Sequence, residues 1–161
     1  MPATPASTSY SRLKIALHSL VFALLAQQYI FKDAMSVAWD RVTDGLAAGF
    51  DPLVLGGALV MIFALWRVTL RARGGVPPAI EASKLQDILA KLTHLGLYAL
   101  MLLMPLSGSV AWFGGVEAAV QGHNVLKILL LALIALHVVG ALYHQFVLRD
   151  GTLARMRRAQ G

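Results

Sequence analysis

Five histidines lie in or beside long apolar stretches of the chain: His18, His94, His123, His137 and His144. Three of them share one stretch, Gly122 to Asp150, spaced 14 and then 7 residues apart. On an α-helix these steps nearly close whole turns, so the three rings fall on one face, separated by about 21 Å and 10 Å along the axis. Ionisable residues inside a membrane-length apolar run are costly to place and point to function. The spacing excludes one shared metal ion. Helix-borne ligand pairs sit three or four residues apart, and metal–nitrogen bonds are about 2 Å. A proton relay would ordinarily include Asp or Glu, and the interiors of these runs contain neither. Haem suits the pattern better. A b-type haem iron is held by axial side chains without covalent attachment, and two histidines from facing helices can sandwich it.

The elements that must position these rings follow from the apolar runs. Hydrophobic residues make up 58% of the 161 and charged residues only 14%. That is too apolar for an ordinary soluble domain and too long for a single anchor. Four spans are predicted at about 13–31, 52–66, 92–112 and 125–148, each near the 20 residues that cross a hydrocarbon core. The expected fold is an all-α integral membrane four-helix bundle forming a single domain over residues 1–161. Residues 1–11 read as a flexible N-terminus and 67–91 as a connection on one side of the membrane. The part Ala79 to Leu92 has the pattern of a short surface helix. The segment between spans 1 and 2 reads as a polar loop with Trp39 at the interface. Pro105 is expected to kink span 3. The first apolar run is long enough to stay in the membrane, so no cleaved leader is read.

Cysteine is absent, which excludes disulfides, covalent haem attachment through CxxCH and cysteine-ligated clusters. The net charge of +6 is no sign of nucleic-acid binding, because the cations flank the spans. Arg12, Lys14, Arg67, Arg71, Arg73, Lys84, Lys91, Arg149, Arg155, Arg157 and Arg158 fall on one side, against Lys32, Arg41 and Lys127 on the other. Eleven against three predicts that both termini face the cytoplasm. His18 then lies in the cytoplasmic half of span 1, available to face span 4. Depth counting alone would pair it with His144. His94, at the start of span 3, reads as an interfacial hydrogen-bonding group.

Several segments together resemble the bacterial cytochrome b561 family, which is related to the cytochrome b subunits of nickel-iron hydrogenases. Tyr10-Ser11-Arg12 with Ile15-Ala16-Leu17-His18 is similar to the family's opening motif, although Ser19 stands where a Trp is usual. His94-Leu95-Gly96-Leu97-Tyr98 and Met104-Pro105-Leu106-Ser107-Gly108 resemble its third helix. Leu136-His137-Val138, Ala141-Leu142-Tyr143-His144 and Arg149-Asp150-Gly151-Thr152-Leu153 resemble its fourth helix and tail. The resemblance implies that His18 and His137 hold a cytoplasmic-side haem b. It implies that His123 is the fourth-helix ligand of a second haem, and that His144 lies near a quinone site. Arg12 is a candidate for contact with haem carboxylates and Lys14 for a quinone carbonyl. Both also serve as topology anchors. The departure lies in span 2. The family places a histidine at its start, but Gly49 to Gly57 contains none, nor any Cys or Met. One haem per chain is therefore expected, with the second lost or differently ligated.

The resemblance implies a bacterial inner-membrane cytochrome exchanging electrons between haem and the quinone pool, ubiquinone included, with no catalytic residue beyond the cofactor sites. Superoxide oxidation at an outer haem, an activity of some family members, is weakened by the missing ligand. The alternative is a haem-bearing or degenerate anchor subunit that docks a periplasmic or respiratory electron-transfer partner. A transporter with a histidine relay lacks the acidic residues and internal repeats it would need.

Overall fold

Four long helices cross the length of the molecule, and a fifth, shorter one caps one end. The computed structural model describes residues 10–44, 51–74, 83–151 and 153–154. Helix α1 is Arg12–Ile30, α2 Lys32–Thr43, α3 Pro52–Gly74, α4 Lys84–Gly114 and α5 Glu117–Tyr143. A π-helical turn, His144–Leu148, continues α5. The four long helices, α5 counted with its π turn, are each apolar and long enough to cross a membrane. The expected N-terminal tail 1–9, most of the loop 45–50 and the centre of the connection, 75–82, lie outside the described residues.

Local chemistry sets the helix ends. Ser11 caps α1 by accepting from the Lys14 amide, which satisfies one of the donors that a helix start leaves unpaired. Pro52 opens α3 where its missing N–H costs nothing. At α4, the Ser83 hydroxyl accepts from the Gln86 amide and the Gln86 side chain accepts from the Ser83 amide. This reciprocal cap starts the helix at Lys84, well before the predicted residue 92. The expected surface helix is thus the first part of α4. Likewise α3 continues to Gly74, so Arg67 lies inside the helix and not at its close. Helix α4 runs through Pro105 as one element and stops at Gly115, whose φ of 62° is left-handed. Glycine takes that conformation without a Cβ penalty.

The segment after span 1 differs from the predicted loop. It forms α2, whose half-buried Met35, Ala38 and Trp39 recur at helical spacing and face the bundle. Trp39 packs on Trp112 of α4 with ring centres 6.3 Å apart, and Trp112 is buried.

The bundle packs in the order α1, α3, α4, α5, with α4 against α5 the most extensive interface. Its centre is Val21, Val60, Ala64, Leu100, Met101 and Leu130. Most other large apolar side chains are exposed, as expected where lipid replaces water. Association of such helices depends on close packing more than on escape from water. Small residues permit it: Leu133 of α5 seats against Gly96, where a Cβ would come within 2.7 Å of its Cδ1. We call the end where α1 begins and α5 finishes the basic end, and the other the distal end. The core lies between them, with a histidine site at each.

Leu130, only 1% exposed, is the most enclosed large side chain described. Leu130→Ala should destabilise the bundle by about 2 kcal/mol through the cavity it leaves. Thermal unfolding in detergent measures this, and the lipid-facing control Leu131→Ala should change little.

Candidate functional site: histidines at two ends of the bundle

At the basic end, α1, α4 and α5 bring three histidines together. The rings of His18 and His137 have centres 6.2 Å apart and planes inclined at 72°. His94 lies against His137 with centres 5.1 Å apart. All three are half-buried. His18 therefore meets His137 across the bundle, and His144 lies about two turns further along α5. Two imidazoles bonded to opposite sides of one iron at about 2 Å each have ring centres about 6 Å apart. The His18–His137 separation matches that dimension. Among the described residues no three His, Asp or Glu side chains converge to hold a bare metal ion.

Two residues joined this site without being singled out for it in the sequence. His94 belongs to it because α4 begins at Lys84, which places His94 about 15 Å into the helix and not at its edge. Its Nδ1 donates to the Ala90 carbonyl at 2.6 Å. Arg67 belongs to it because α3 extends past it. Its Nη1 lies 2.7 Å from Nδ1 of His18, and its guanidinium stands 5.9 Å from the ring centre of Tyr98. Serine-capped starts and helix length are the signals that could have placed both.

Arg12 is exposed at the start of α1, six residues before His18 and about 120° round the helix from it. Lys14 is four residues before His18, hence nearly on its face, and is half-buried.

At the distal end, His123 of α5 lies over Gly108 of α4, where a Cβ would come within 3.2 Å of the ring. Its Nδ1 donates to the Met104 carbonyl at 3.1 Å and lies 3.0 Å from the Ser107 hydroxyl, which itself donates to Met104. A histidine that donates from Nδ1 to a carbonyl presents the lone pair of Nε2, the usual arrangement of a metal-ligating imidazole. The start of α3 and the end of α1, at the same end of the bundle, carry no imidazole. Gln28 of α1 donates to the Leu53 carbonyl at 2.9 Å and fills the notch at Gly56 of α3, where a Cβ would come within 2.4 Å of its amide nitrogen. The Tyr29 hydroxyl donates to the Lys127 carbonyl at 2.7 Å. One imidazole and a filled notch do not make a bis-histidine site.

The third position is the π turn. His144 Nδ1 donates to the Asp150 carboxylate at 2.5 Å, and the chain reverses through Arg149, φ 52°, and Gly151, φ 75°. A shallow groove of about 380 Å³ opens beside it, lined by Gln145, Phe146, Arg149, Gly151 and Ala154. His144 is not in its wall.

An apolar four-helix bundle with histidines brought together from facing helices has the architecture expected of a membrane b-type cytochrome. The chain belongs to the prokaryotic cytochrome b561 family, whose model matches residues 9–159. It is also similar to cytochrome b562 of Cereibacter sphaeroides, with 39% identity over 155 residues covering 92% of this chain and 95% of that protein. The chain is accordingly a multi-pass membrane b-type cytochrome of electron transfer.

The Asp150 contact fixes the tautomer of His144. In ¹⁵N-histidine NMR spectra, wild-type protein should show Nδ1 of His144 protonated. Asp150→Ala should release the ring to a mixture of both tautomers.

Proposed function

We propose that the chain exchanges electrons between one haem, held by His18 and His137 at the basic end, and a quinone in the membrane. The observation that carries this reading is the approach of those two rings to 6.2 Å from facing helices. When bound, haem supplies reversible one-electron chemistry. The chain's part is to orient the two imidazoles and keep the site dry. Leu17 and Val21, which flank His18 on α1, are buried. His94 neighbours the pair as a third imidazole, hydrogen-bonded to the Ala90 carbonyl.

The distal end favours one haem per chain. His123 offers one imidazole, and at the same end α1 and α3 meet through Gln28 and the Leu53 carbonyl, with no imidazole at the start of α3. That end also carries Asp33, Asp40, Asp44, Asp51 and Glu117 against Lys32, Arg41 and Lys127. A negative excess does not draw in an anion such as superoxide.

For quinone, His144 is the proton-handling group. With Nδ1 held by Asp150, Nε2 can take a proton from a quinol hydroxyl and, once protonated, return it to a quinone oxygen. Lys14, on the face of α1 that carries His18, supplies positive charge for a quinone carbonyl. Arg12 at the membrane surface serves as an anchor and a partner for a haem carboxylate. The basic end faces the cytoplasm of a bacterial inner membrane in this reading, because cations concentrate there.

A second reading, a haem-bearing anchor subunit that docks an electron-transfer partner, is favoured by the one-sided distal site. Electron exchange between the purified protein and ubiquinol separates the two: a haem-loaded protein inert to ubiquinol favours the anchor.

Pyridine haemochrome assay should return about one haem per chain, and two per chain would overturn the single-site reading. His137→Ala should abolish the low-spin bis-histidine spectrum, whereas His94→Ala should retain it. The reverse result would exchange their roles.

A further inference from the structure

Of the five histidines, four make a hydrogen bond at Nδ1 to a side chain or carbonyl, and one of these differs in kind. His94, His123 and His144 each donate from Nδ1 to an oxygen. His18 faces the Arg67 guanidinium. Arginine has donors only, so Nδ1 of His18 accepts and the ring proton sits on Nε2. A protonated Nε2 has no lone pair for iron. The Arg67 contact and ligation through Nε2 of a neutral ring therefore exclude one another.

Arg67 has a second peculiarity. It lies inside a membrane-length helix, and among the described residues no carboxylate lies within ion-pair distance of it. Among the described residues, the acids near this end pair with other partners, Asp87 with Lys91 and Asp150 with His144. Its neighbours are a neutral imidazole and the ring of Tyr98. Charged groups at such depth ordinarily pair. Haem b brings two peripheral carboxylates, and guanidinium binds a carboxylate through two parallel hydrogen bonds.

We infer that Arg67 is a two-position cation: it holds His18 in the form that does not bind iron, and moves to a haem carboxylate when haem enters. The inference rests on the proposal that His18 is an axial ligand. Release of Arg67 lets the ring proton pass from Nε2 to Nδ1 with no net proton gained or lost. The protonated Nδ1 would then need an oxygen acceptor of the kind His94 finds in the carbonyl one turn back on its own helix. Loading thus exchanges a cation–imidazole contact for a cation–carboxylate pair, and selects a porphyrin that carries free acids.

The test compares binding of haem and of its dimethyl ester, in which both carboxylates are blocked, to haem-free protein in detergent. Wild type should prefer haem by about tenfold, the size of one hydrogen bond to a charged group. Arg67→Met should reduce the preference to about twofold or less, with low-spin ligation kept. Equal binding of haem and ester by wild type, or an undiminished preference in Arg67→Met, overturns the inference. A second measurement needs no variant fold: ¹⁵N-histidine NMR of haem-free wild type should place the His18 proton on Nε2, and a proton on Nδ1 overturns it. If wild type binds haem without a bis-histidine spectrum, the failure lies instead with the ligand assignment.

Discussion

An imidazole inside an apolar bundle has two nitrogens, and the partner taken by one decides what the other can do. That constraint organises this molecule. Where Nδ1 is tied to an oxygen, as in His94, His123 and His144, Nε2 is left with its lone pair. Where Nδ1 meets a cation, as in His18, the second nitrogen holds the proton. The helices supply the partners: carbonyls one turn away on the same helix, a carbonyl and hydroxyl across the α4–α5 interface, a carboxylate beyond a π turn, and an arginine from α3. In a medium without water these are the partners available, so helix register and ring chemistry are set together.

The two ends of the bundle solve the same packing problem differently. At the basic end, polar side chains from four helices converge and the rings of His18, His94 and His137 fill the space between α1, α4 and α5. At the distal end, the chain fills its own interior. Gln28 takes the Gly56 notch, Tyr29 ties α1 to α5, and α2 packs Trp39 against Trp112. The apolar layer around Leu130 separates the two. Membership of the cytochrome b561 family explains the shared scaffold. The asymmetry goes with an α3 that begins Pro52-Leu53-Val54 with no imidazole in its first turns.

Much of this was legible in the residues. Crossing a bilayer demands about 20 apolar residues, so four spans stand out against 14% charged composition. The shared face of His123, His137 and His144 follows from helical period alone. What was hidden depended on ends and on partners. Helix α2 mixes Lys32, Asp33, Asp40 and Arg41 among Met35, Ala38 and Trp39, so its apolar stripe is thin. The polar first turns of α4 masked its continuity with span 3, although Ser83 and Gln86 carried the capping pattern. That misplacement hid His94, and the longer α3 hid Arg67 in the same way. Gln28 was visible as a polar residue near a span end. Its use as a filler depends on the facing glycine, a tertiary contact with no local signature.

The ties of Gln28 and Tyr29 both end on main-chain carbonyls, those of Leu53 and Lys127. A main-chain acceptor is present whatever side chain the residue carries. The ties therefore depend on the side chains of Gln28 and Tyr29 and on the backbone path of α3 and α5, while the Leu53 side chain is held by its own burial. A side-chain change at Lys127 leaves its carbonyl in place, whereas loss of the Tyr29 hydroxyl removes the tie itself.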